Sequence, residues 1–156
     1  MQHDQEVRRI CATAYLEHVR SLKTRIDALQ EEIDLNSDML GTTTRYREKV
    51  SKSGNPKSFE NSVIRLHDLI EDYCTELAEY VDEQYVAHDV MRRLSRPEYA
   101  RALTAYYVRG KSWELCCVDM GYTWQGMMSL RKKAVQEVYD FMPEAWRRDP
   151  IPNAET

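Results

Sequence analysis

Along the first third of the chain, apolar residues recur at Tyr15, Val19, Leu22, Ile26, Leu29, Ile33 and Leu40, with polar Asn36 filling one slot. The steps alternate between four and three residues. Such a heptad seam makes a helix bury one narrow stripe against another helix. A second seam of the same kind runs through Val63, Leu66, Ile70, Tyr73, Leu77, Tyr80, Gln84, Ala87, Met91 and Leu94. It predicts a helix from about Phe59 to Leu94. Neither stretch contains Gly or Pro. The two helices are expected to pair as an antiparallel hairpin spanning residues 5–94, or to join a multimer. Polar Asn36 and Gln84 would fix register in the seam.

Between the seams lies residues 41–58, GTTTRYREKVSKSGNPKS, with five basic residues against one acidic. It is too long for a tight turn and predicts a mobile loop. It reads either as a solvated linker or as a basic arm touching phosphates.

At Ser95 the pattern changes. Ser95-Arg96-Pro97-Glu98 has the form of a capping box with Pro at the first helical position. It predicts a helix from Pro97 to about Val108, with Tyr99, Leu103 and Tyr106 or Tyr107 turned inward and Gly110 as a left-handed stop. Ser112 then caps a short helix from Trp113 to about Met120. Gly121 ends it, and Thr123 caps a longer helix from Trp124 to about Met142, before Pro143. A short helix, a tight turn containing Gly and a longer helix have the spacing of a helix-turn-helix, here spanning 95–142. Cys116, Met120, Met127, Leu130, Ala134 and Val138 are its expected core. Cys117 is the small residue where the two helices cross. The tail 143–156 is expected to be loose, with Trp146 pinning its start.

Charge sharpens this picture. The chain has 156 residues and a net charge of -4. Residues 92–148 carry eleven Lys/Arg against six Asp/Glu, whereas residues 1–91 carry eleven against eighteen. A basic C-terminal unit is thus joined to an acidic body. Between Phe59 and Met91 nine acidic residues face one basic residue, which argues against that helix lying along DNA. It is a solvated face or a docking surface for a basic partner.

In the helix-turn-helix reading, the early exposed residues of the last helix would face the major groove: Thr123, Trp124, Gln125, Met128 and Ser129. Gln pairs well with adenine. Arg131, Lys132 and Lys133 would hold phosphates, as would Lys111 and Ser112 ahead of the short helix. The same side chains also fit a plain solvated face (Arg131, Lys132, Lys133), core packing (Trp124) and helix packing (Met127, Met128).

Enzymatic chemistry finds no footing. There is no glycine-rich phosphate loop, no GxSxG and no HExxH. The four cysteines, Cys11, Cys74, Cys116 and Cys117, include no CxxC pair and read as reduced thiols of a cytoplasmic protein. With His3, His18, His67 and His88 they form no metal-ligand spacing. Neither a cofactor nor a metal is expected. The polar start MQHDQEVRR is unlike a signal peptide, and no apolar run approaches a membrane span.

The run Tyr106-Tyr107-Val108-Arg109-Gly110-Lys111-Ser112-Trp113-Glu114, followed by Met120-Gly121-Tyr122-Thr123, resembles a family of phage and prophage proteins. Their helix-turn-helix is similar to the fourth region of bacterial sigma factors, as in the RinA- and ArpU-like regulators of late genes. The layout of heptad-patterned segment, polar interruption and helix-turn-helix is similar over residues 15–141. The specific motif covers about 95–140. Leu115, Cys116 and Cys117 replace the family's Glu, Ile and Ala. Gln125 and Gly126 stand where Arg and His are usual on the recognition helix. The resemblance implies a DNA-binding transcriptional regulator whose coiled coil makes a homodimer or contacts RNA polymerase. Two other functions fit the same layout: a phage small terminase subunit, which builds rings for DNA packaging, and a coiled-coil interaction module that does not bind DNA.

Overall fold

The computed structural model describes the backbone of residues 2–50 and 56–147, with side chains for 2–41 and 57–147. All regular structure among them is helical. Helix α1 is Gln2–Val50, α2 is Pro56–Arg92, α3 is Pro97–Leu103, α4 is Trp113–Met120 and α5 is Trp124–Phe141. Helix α3 runs on into a π-helical turn at Thr104–Val108, and α5 is followed by a short 3-10 turn at Glu144–Trp146. No described helix is long and apolar enough to cross a membrane.

Much of the expected loop at 41–58 is helical instead. Helix α1 continues to Val50 and α2 already begins at Pro56. Gly41 is the only strong helix breaker before Val50, and one Gly costs on the order of 1 kcal/mol in a helix. Thr, Arg, Tyr, Glu and Lys are all tolerated there, so the helix runs on. Pro56 sits at the first position of α2, where its missing N–H has no partner to lose. Residues 51–55 lie outside the described residues, as do 148–156 of the expected tail.

The compact units cut across the change of chemistry at Ser95. One unit groups residues 2–23 with 80–147, and the other spans Thr24–Glu79. In the second unit, Ile26 is buried while Leu29, Ile33, Asn36 and Leu40 are half-buried, as a one-sided seam requires. Asn36 turns its amide to the Glu32 carbonyl of its own helix, 2.8 Å away. Arg25 pairs with the Glu76 carboxylate at 2.5 Å. Two positions of the α2 seam are corrected: Val63 and Ile70 remain 43% and 41% exposed.

The first unit holds the core. Cys11, Ala12, Tyr15, Leu16 and Val19 of α1 meet Ala87, Val90 and Met91 of α2, Tyr99, Ala102, Leu103, Tyr107 and Val108 of the α3 segment, Trp113 and Cys116 of α4, and Met127, Leu130, Ala134, Val135 and Val138 of α5. These side chains are aliphatic, aromatic or thiol, and no Ser, Thr, Asn, Gln, His or charged residue is buried among the described ones. Burial of this kind, at about 25 cal/mol per Å² of apolar surface, is what holds short helices such as α3 and α4 that would not persist alone. Of the core expected for the last two helices, only Met120 stays half-buried.

Local chemistry sets where the short helices start. Pro97 opens α3 as expected, but Ser95 is not its cap. The N-cap residue is Arg96, which makes no side-chain capping bond. Ser95 is instead engaged by Glu137 of α5, whose carboxylate accepts both the Ser95 N–H at 2.9 Å and its hydroxyl at 2.8 Å. A charged acceptor across the interface outcompetes a neutral local cap. Gly110 has φ +74°, as a left-handed stop demands. Trp146 packs its ring 6.0 Å from Tyr15 and 5.0 Å from His18, which fixes the chain after Pro143.

Candidate nucleic-acid interface

Two capped helices and the turn between them form the candidate surface. The Ser112 hydroxyl accepts the Leu115 N–H at 3.2 Å and starts α4. Gly121, at φ +71°, ends α4 in the left-handed region, where a side chain would be strained. The Thr123 hydroxyl then accepts the Gly126 N–H at 3.1 Å and starts α5. A Cβ at Gly126 would stand 3.1 Å from that same hydroxyl oxygen, so the glycine leaves room for the cap.

The segment leading into α4 is held from outside. Arg20 of α1 donates to the carbonyls of Tyr106 and Lys111, and the Tyr80 hydroxyl of α2 donates to the Val108 carbonyl at 3.0 Å. The Tyr106 and Val108 carbonyls belong to the end of the α3 segment, where a helix leaves them without partners, and that of Lys111 to the connection into α4. Rings add to the hold. Tyr106 stacks on Trp113 at 4.1 Å, with the Arg20 guanidinium 3.8 Å from the Tyr106 ring centre and that of Arg131 5.2 Å from Trp113.

The sequence-derived contact residues fall into three groups. Thr123, Trp124, Gln125 and Ser129 are exposed on the first turns of α5, with Trp124 51% exposed. Lys132 and Lys133 are exposed one turn further on. The others are already partly committed. Lys111 pairs with Asp119 at 3.2 Å, which offsets its charge. Arg131 is half-buried, donates to the Tyr107 hydroxyl at 3.3 Å and lies over Trp113. Arg131 is therefore first a packing residue, a correction to its reading as a free phosphate holder. Ser112 and Thr123 accept in their caps but keep a hydroxyl proton to donate. Met128 is half-buried and lines a cleft.

That cleft contains residues the sequence did not single out. Arg9 and Thr13 of α1 face Met128, Arg131, Lys132 and Val135 of α5 across an open space of about 270 Å³. No local signal could have found Arg9, because more than a hundred residues separate it from Lys132. A larger open pocket of about 550 Å³ is lined by the side chains of Val7, Ile10, Cys11, Ala14, Ala145 and Trp146 and is mainly apolar.

Burial pushes the Cys116 thiol up from its ordinary value, with nearby Lys111 partly opposing, so it is a thiol and not a thiolate at neutral pH. All four cysteines are free. On α2, His67, Asp68 and Glu71 bring ligand atoms within 4.8 Å of one another, and all three are exposed. Helical spacing alone produces such groupings on acidic faces.

Compared with family models, curated proteins and solved structures, the chain matches none of them.

Proposed function

We propose that this protein binds double-stranded DNA through α4 and α5, used as a helix-turn-helix, and acts as a transcriptional regulator of the phage or prophage type. In this reading α1 and α2 form a helical hairpin that supports the DNA-binding unit and serves oligomerisation or contact with RNA polymerase. One observation carries the reading. The first turns of α5, capped by Thr123 and preceded by the left-handed Gly121, present Trp124, Gln125 and Ser129 to solvent, with Lys132 and Lys133 exposed behind them and without an ion-pair partner among the described residues. A helix N-terminus with exposed polar side chains and trailing cations suits a major groove flanked by phosphates.

The test is binding of the full chain to a random pool of labelled duplexes at low and at moderate salt. Binding that weakens steeply with salt and enriches a common sequence is the expected result. Absence of binding even at low salt would leave only the interaction-module reading.

Oligomeric state separates regulation from DNA packaging. Leu35, Met39, Val63, Ile64 and Ile70 are exposed apolar residues of the Thr24–Glu79 unit, and they favour self-association there. Native mass is expected to give a dimer. A ring of eight or more subunits would favour a terminase-like role instead.

A further inference from the structure

The cleft between α1 and α5 adds a site to this interface. We infer that it grips one backbone phosphate of the duplex, with Arg9 and Lys132 as the donors. The inference rests on the DNA-binding reading above.

Arg9 and Thr13 lie one turn apart on α1 and so share a face. Met128, Arg131, Lys132 and Val135 share the facing side of α5. Met128 and Val135 supply an apolar floor, while the three cations stand around it. No carboxylate lines the cleft, and among the described residues neither Arg9 nor Lys132 has an ion-pair partner. Three like charges drawn around so small a space repel one another, and a bound anion relieves that repulsion. The Thr13 hydroxyl spends its proton on the Arg9 carbonyl at 2.8 Å, and Arg131 is tied to Tyr107. The free donors are thus the Arg9 fork and the Lys132 ammonium. A guanidinium opposite an ammonium matches the two unbridged oxygens of a phosphodiester.

Placement favours a duplex phosphate over a free one. Gln125, Met128 and Lys132 stand at helical spacings of three and four on α5, so the cleft continues the same stripe that the exposed first turn begins. With that turn in the major groove, the strand bordering the groove falls against Lys132 and within reach of α1.

The experiment compares the full-length parent with Arg9→Gln and Arg9→Lys in duplex binding over a salt series. Arg9→Gln is expected to bind about three- to tenfold more weakly and to lower the salt slope by about one, at unchanged thermal midpoint. Arg9→Lys is expected to keep most of the slope. If the parent binds in a salt-dependent way and Arg9→Gln matches it in affinity and slope, the cleft assignment fails while the DNA reading stands. If the parent binds no duplex at low salt, both fall. An inorganic phosphate titration at constant ionic strength is the second arm. Saturable phosphate binding that Arg9→Gln abolishes, without any change in duplex affinity, would overturn the duplex assignment in favour of a free-phosphate site.

Discussion

Ser95 and Glu137 are joined by two parallel hydrogen bonds, from the Ser95 backbone N–H and from its hydroxyl, one to each oxygen of the Glu137 carboxylate. The pair ties the entrance of α3 to the C-terminal part of α5, two segments separated by more than forty residues. Both bonds go to a charged acceptor at a site solvent can reach, so each contributes about 1 kcal/mol at most. Glu137→Ala is expected to lower stability to urea by about 1–2 kcal/mol. Ser95→Ala, which keeps the backbone bond, is expected to cost less than that. Equal losses for the two would mean that the backbone bond contributes nothing.

The caps of α4 and α5 give a second set of expectations. Ser112→Ala and Thr123→Ala should each cost about 1 kcal/mol, the usual loss for a hydroxyl cap. Gly121→Ala should cost about 1–2 kcal/mol, because an L side chain is strained at that positive φ. Chemical denaturation monitored by helical circular dichroism checks all three. A neutral Gly121→Ala would show that the turn adopts another conformation in solution.

Tyr15 and Tyr107 make stability sensitive to alkali. Burial pushes both phenols up from their ordinary value, for Tyr15 with a smaller push from the Glu83 carboxylate and for Tyr107 against the opposing pull of Arg131. Both remain protonated in the folded protein, while the unfolded chain ionises near pH 10. Their contribution is therefore complete below about pH 10 and is lost as pH rises towards the folded values. The Tyr15 hydroxyl is buried without a protein hydrogen-bond partner. Tyr15→Phe should consequently match or slightly exceed the parent in stability at pH 7, and should lose stability less steeply between pH 10 and 11. Urea midpoints across that range decide it; identical pH slopes for the two proteins would contradict the assignment.

For DNA binding, Lys132 and Lys133 are the informative pair, because Arg131 also holds Tyr107 and Trp113. Lys132→Ala with Lys133→Ala should weaken binding to all duplexes alike and lower the salt slope by about two. Gln125→Ala should change preference among sequences with little change in slope. Arg131→Ala should lower the thermal midpoint as well as affinity. If the Lys double variant and Gln125→Ala both bind as the parent does, α5 is not the helix that enters the groove.

What could be read from the sequence was what depends on neighbours along the chain. Ser112, Thr123, Gly110 and Gly121 each announce themselves by residue type and spacing, and each sits where that chemistry places it. The buried stripe of α1 from Tyr15 to Ile26 was equally legible, because burial repeats with the helical period. Interactions between distant segments were not. Arg20 serving carbonyls at Tyr106 and Lys111, Glu137 taking Ser95 from its local cap, and Arg9 facing Lys132 all depend on how helices meet, which periodicity does not encode. Residues 41–50 misled for a different reason: Gly and Thr lower helix propensity without forbidding a helix.

The core that supports α4 and α5 draws its first layer from residues 11–19 and its last from residues 127–142. During synthesis, the opening turns of α1 therefore leave the ribosome long before the surfaces they will cover. Nearly the whole chain must emerge before this unit can close, with the loop-closure entropy and slower folding that such distant pairing entails. A fragment trimmed to begin at Ser95 would present an uncovered oily face to water and is a poor substitute for the full-length protein.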